Sequence, residues 1–239
     1  MNQLERIKEL HRLFHAGAIP TLASHEVNPG HPKESRENYL YFTLPPCLNF
    51  QRSSPAMWKS ALATWEDPET NYLFYPEQVV ATPLEKVRAD LLKHKLSLQP
   101  NKHTQIWTKI SATLHERFAD DPREVLKGGK MDAQKVLNLL QVTHKDHFPY
   151  LRGPKMANYW LYILTQYTDA KFANMGFISI IPDTHVAQCS VKLGLVDPSA
   201  SPETIALAWR NLLSGSGIDP VDMHPVLWNW SRNDFRPKV

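Results

Sequence analysis

Two side chains stand where a segment turns into a helix and where packing does not require their charge. The first is Lys155, in "FPYLRGPKMANYWL" at 148–161. An apolar helical run, "VLNLLQ", ends upstream; a short turn containing proline and glycine follows, and a new helix begins at Lys155. The first N–H groups of a helix have no partner inside it and point outward. With the helix dipole they form an anion site suited to a phosphate, and such a turn grips a nucleic-acid backbone without reading its sequence. Arg152 and Gly153 belong to that turn. Lys155 lies at the end of the helix that disfavours positive charge, so the dipole, partial burial or a nearby cation would each lower its pKa towards the neutral amine a nucleophile needs. The alternative is a surface lysine whose stem covers apolar neighbours.

The second is Asp183, in "IPDTHVAQCSVKLGL" at 181–195. It precedes an apolar helical run containing Val186, Val191, Leu193 and Leu195. As an N-cap it would accept from the N–H groups two and three residues on, which keeps the carboxylate ionised and fixes its direction. Capping alone explains the residue; capping and catalysis are also compatible. His185 lies in the same first turn.

The elements that must position these groups are helical. Leu4, Ile7, Leu10 and Phe14 form a stripe on a first helix. Ser54-Pro55 caps "AMWKSALATW", and Thr82-Pro83 starts a helix with Val87, Leu91 and Leu92 on one side. Ile106, Ile110, Leu114 and Phe118 recur at steps of four, and helical runs continue to the C-terminus. "NPGHPKESREN" and "DDPREVLKGGK" read as connectors, and "GFISII" at 176–181 as one short strand without a sheet. The prediction is an all-α chain of eight or more helices.

Nineteen prolines against nine glycines suit helices with stiff connectors. A composition 42% hydrophobic excludes a disordered tail. Two cysteines, Cys47 and Cys189, are too few for a disulfide scaffold, a four-thiolate zinc site or an iron–sulfur cluster, and the eleven histidines show no zinc-ligand spacing, so no metal is expected. A net charge of +3 is compatible with a polyanionic partner. The charged, amphipathic first twenty residues are unlike a secretion signal, and no apolar run is long enough to span a bilayer. A soluble cytoplasmic protein, without membrane association, is the expectation.

"LRGPKMANYWL" followed by "IPDTHVAQCSVKLGL" resembles the DNA glycosylases of the helix–hairpin–helix superfamily, the group containing endonuclease III and the 8-oxoguanine glycosylases. Its usual hairpin "LPGVGxKTA" and later "VDTHVxRVxxRLGL" place Lys155 on the catalytic lysine and Asp183 on the essential aspartate. The likeness spans roughly residues 84–232. It implies a two-lobed fold with the active-site cleft between lobes, one lobe being residues 38–168 and the other 1–37 with 169–239. It also implies a monomer that needs no cofactor, acts at the nucleoid and flips a damaged base out of double-stranded DNA. Lys155 would attack the sugar to give a Schiff base, permitting strand cleavage, while Asp183 stabilises positive charge on the sugar. Arg152, Gly153 and His185 become DNA-binding candidates; Asn49, Gln51, Arg52 and Trp228 become base-pocket or gap-filling candidates. Leu151 departs from the pattern, standing where the first hairpin glycine is usual. The 28 positions from Lys155 to Asp183 lean, by the same resemblance, towards 8-oxoguanine or another oxidised base. The alternatives are a monofunctional alkyl-base glycosylase and a helix–hairpin–helix DNA-binding protein without catalysis.

Overall fold

The computed structural model describes residues 2–21, 26–49 and 52–239. Among them the chain forms α-helices, short 3-10 turns and no strand; the one β-bridge, between Asp132 and Ala173, is isolated. None of these helices is long and apolar enough to cross a membrane. The chain divides into two compact units, 1–23 with 174–239, and 24–173.

The first unit joins the two ends of the chain. It holds α1 (Gln3–His15), and its C-terminal part contains α10 (Thr184–Lys192), α11 (Pro202–Leu213) and α12 (Met223–Arg232). Ile7 and Leu10 of α1 enter one core with Val186, Cys189, Trp209, Val226 and Trp230. Leu4 and Phe14, expected on the same stripe, only border that core. Trp209 donates its indole N–H to Ser190 Oγ at 2.8 Å, and Trp230 donates to the Pro237 carbonyl at 2.8 Å. Each large ring is thereby buried without an orphaned donor.

The second unit comprises α2 (Arg36–Thr43), α3 (Ser54–Glu66), α4 (Pro76–Ala81), α5 (Leu84–Lys93), α6 (Pro100–Arg117), α7 (Pro122–Gly128), α8 (Ala133–Asn138) and α9 (Pro154–Tyr167). The period-four line of α6 faces inward and packs against α4 and α5. The stripe on α5 is narrower than expected: Val87 and Leu91 are fully buried, but Leu92, one residue further round the helix, is 37% exposed. Tyr41, Phe42, Trp58 and Phe74 form an aromatic cluster.

Three local expectations are corrected. "DDPREVLKGGK" is α7, because Asp121 caps it and grips the Arg123 guanidinium, while Pro122 fills a first-turn position that needs no N–H. "GFISII" makes a single 3-10 turn at Met175–Phe177 and no strand, having no neighbouring strand to pair with. The N-cap of α3 is Ser53, since the Ser54 hydroxyl accepts instead from Asn49 Nδ2 at 2.9 Å.

The unit boundaries lie at 23/24 and 173/174, where 37/38 and 168/169 were expected. Polar bonds explain the difference. Tyr41 donates to the Val27 carbonyl at 2.7 Å, Tyr167 to Glu26 Oε2 at 3.0 Å, and buried Asn38 donates to the Tyr167 carbonyl at 2.8 Å. These tie residues 26–37 to the middle of the chain. Ala173 exchanges backbone bonds with Met131 and Ala133, which keeps 169–173 there as well. Asn38→Ala, which removes a buried donor and leaves the end of α9 unsatisfied, is expected to lower stability by about 1–3 kcal/mol in urea unfolding.

Candidate functional site

The turn before Lys155 is built without the usual glycine. Helix α8 widens at its end into a π-turn over Leu139–Thr143, and residues 144–153 then fold back. His147 N–H donates to the His144 carbonyl, Arg152 N–H to Phe148 and Gly153 N–H to Tyr150. Thr113 of α6 donates to the His147 carbonyl at 3.0 Å and pins the turn from below. Phe148 and Leu151 point inward, 1% and 0% exposed. Leu151 is therefore a core anchor, and the left-handed conformation falls on Tyr150, at φ 65°. For a bulky residue that costs roughly 1–2 kcal/mol. The Tyr150 hydroxyl offsets it by donating to the Asn49 carbonyl at 2.8 Å; burial, and secondarily Cys47, raise its pKa and keep it a donor.

Gly153 caps α9 at φ −59°, and a Cβ there would lie 3.2 Å from the Tyr150 carbonyl. Close approach, not a positive φ, is the reason for this glycine. Arg152 is exposed and braces the turn, donating to the Lys145 carbonyl and to Asp146 Oδ1, both at 3.0 Å. Lys155 follows Pro154 in the first turn of α9. It is exposed rather than partly buried, and makes no hydrogen bond or ion pair with the described residues. Its neighbour Met156 turns into the core.

Asp183, in the other unit, is the N-cap of α10 and half-buried. Its Oδ1 accepts from the Val186 N–H at 2.9 Å, one of the two bonds expected. No hydrogen bond to the described residues occupies Oδ2. The carboxylate makes itself felt nearby: burial, then the charge of Asp183, push the Cys189 thiol up to about 12. His185 Nδ1 lies 3.0 Å from Ser231 Oγ, and its ring meets Trp228 edge-on with centroids 5.4 Å apart. The Arg232 guanidinium stands 5.1 Å from the same indole. Asp183, His185 and Trp228 are thus gathered on adjoining parts of α10 and α12.

The gap-filling candidates divide. Asn49 spends Nδ2 on Ser54 and its carbonyl on Tyr150, while its buried Oδ1 has no partner among the described residues. Arg52 donates to the carbonyls of Lys95, Leu96 and Ala56 and to Ser60 Oγ. Those bonds make it an anchor of its loop. Gln51 lies outside the described residues. Phe148, Trp160 and Trp230 are core residues at 1–2% exposure. The role of Tyr150 as a tether between two loops was not legible, since its partner is a backbone carbonyl 101 residues away.

Leu151→Ala is expected to cost about 2–5 kcal/mol in thermal or chemical unfolding, because it empties a filled site. His103, fully buried beside Arg52, accepts from the Leu98 N–H at 3.2 Å. Burial, then the charges of Arg52 and Lys102, hold its pKa below the ordinary 6.5. The unfolded chain therefore binds a proton that the folded one refuses, and stability falls as pH drops below 6.5. His103→Gln is expected to flatten this part of the stability–pH curve, measured against wild type between pH 7 and 5.

Two solved structures are similar to this chain along its whole length. One is a trapped covalent intermediate of endonuclease III with DNA, an estranged-adenine complex, at 15% identity and a TM-score of 0.59, covering 100% of this chain and 90% of that one. The other is a non-covalent endonuclease III–DNA complex, at 15% identity and a TM-score of 0.60, with the same coverage. No protein-family model matches the chain. No curated protein matches it either. At that identity the likeness is one of architecture: the chain has the all-α fold of endonuclease III.

Proposed function

We propose that this protein is a base-excision DNA glycosylase that removes a damaged base and then cleaves the strand through a Schiff base on Lys155. The observation that carries the reading is that, of the two motif positions, one holds an exposed lysine in a helix's first turn that bonds to no described residue, and the other a capped aspartate. The fold of endonuclease III, seen in complexes with DNA that include a covalent one, supports it.

Each group does one job. The N–H groups opening α9, with Arg152 beside them, hold a backbone phosphate. The Lys155 amine, once deprotonated, forms a bond to the sugar C1′ as the bond from C1′ to the base breaks and the base leaves with its electron pair. Ring opening gives the iminium; loss of a proton from C2′ then expels the 3′ phosphate. Asp183 is fixed by its cap and keeps one oxygen for the positive charge that develops on the sugar. His185 and Trp228 are assigned to the DNA-facing side of α10 and α12, and 8-oxoguanine or another oxidised base is the preferred lesion.

Borohydride reduces the iminium to a stable amine, so trapping on duplexes carrying 8-oxoguanine, oxidised pyrimidine, uracil, alkylated purine or an abasic site tests the assignment. A covalent adduct on one duplex, lost in Lys155→Ala, is the expected result. Asp183→Asn is expected to slow base release by about 10²–10³-fold. Base release that survives Lys155→Ala without any adduct would assign the monofunctional chemistry instead. Duplexes left intact throughout would leave a DNA-binding protein.

A further inference from the structure

A groove of about 400 Å³ lies between α6 and the turn that precedes Lys155, lined by Lys102, Gln105, Ile106, Lys109, Asp146, Pro149 and Tyr150. Its floor is apolar, from Ile106, Pro149 and Tyr150; its rim carries two exposed lysines on one face of α6. The one carboxylate in the lining, Asp146, is ion-paired at 3.0 Å with Arg152. With two lysines against one carboxylate, the lining carries a formal excess of positive charge.

We infer that this groove is a second backbone-binding surface, taking the phosphates of one DNA strand that flanks the site. The inference rests on the glycosylase reading. Charge selects the occupant. Lys102 and Lys109 are seven residues apart on a helix, an axial separation of about 10 Å. Phosphates of one strand advance about 3.4 Å along a duplex axis, so the two amines span roughly three steps. Gln105, between them on the same face, offers an amide to a sugar or phosphate oxygen, and the apolar floor suits the faces of the sugars. Nearby His147 senses the same field: burial first, then Arg117 and Lys109, hold its pKa below the ordinary value. The wall formed by Pro149 and Tyr150 belongs to the turn that ends at Gly153 and Lys155, so a strand held here continues towards the proposed nucleophile.

The test is the salt dependence of binding to a fluorescein-labelled duplex carrying a tetrahydrofuran abasic-site analogue, read by anisotropy. Each lost phosphate contact lowers the slope of log K against log[salt] by about 0.9. Lys102→Ala with Lys109→Ala is expected to reduce the slope by about 2 and weaken low-salt binding by about 10-fold or more. The corresponding pair of arginine variants, which retain charge, is expected to keep the slope. Lys86→Ala with Lys127→Ala serves as the control, since neither residue lines the groove. A slope in the Lys102/Lys109 alanine variant equal to wild type, with wild-type binding intact, overturns the groove and leaves the glycosylase reading standing. Wild-type protein that does not bind the duplex overturns both.

Discussion

Tyr150 occupies a backbone conformation that a bulky side chain avoids, and the bond from its hydroxyl to the Asn49 carbonyl holds it there. Much follows from that one interaction. The left-handed residue lets the chain reverse between buried Phe148 and buried Leu151, so both rows of the turn remain anchored in the core. The reversal brings the Tyr150 carbonyl so near Gly153 that no side chain fits comfortably at the cap. Gly153 then opens α9, and Lys155 emerges into solvent. The same bond ties the loop after α2 to the turn before α9, so two stretches distant in sequence are held as one piece.

The two helix starts that carry the chemistry are electrically opposite. At α10 the charge and the dipole agree: Asp183 stands at the positive end and accepts a backbone N–H. At α9 they disagree, for an ammonium in the first turn gains nothing from the helix it begins. The aspartate therefore stabilises the fold whatever else it does. The lysine has no bond to the described residues that explains its position, which makes it the more informative residue for function.

Tryptophans show how large rings are spent. Trp58, Trp107, Trp160 and Trp209 are fully buried, and each donates its N–H to a hydroxyl or carbonyl inside its own unit. Only partly buried rings such as Trp228 retain surface for a ligand. Each unit thus has its own core and its own set of satisfied donors, and the first helix of the chain finds its core with the last three.

The helices themselves were legible because apolar spacing and end signals are local: the line of α6, the cap at Asp183 and the first-turn prolines all act within a few residues. The positions of Lys155 and Asp183 at helix starts were legible for the same reason. Helix α7 was not, because seven residues that end in Gly128 and are followed by Gly129 read as a turn until Asp121 grips Arg123. Nor were the unit boundaries, which are set by hydroxyls and amides reaching carbonyls 14 to 129 residues away. Arg52 shows the limit for sites. The family resemblance marked it as a candidate, and only the fold revealed the carbonyls that occupy it. The sequence determined most of the helices and which charged groups stand at their ends, because those depend on short-range spacing. Tertiary structure alone decided which polar side chains are consumed in holding loops together and which remain exposed, because that depends on partners brought close by packing.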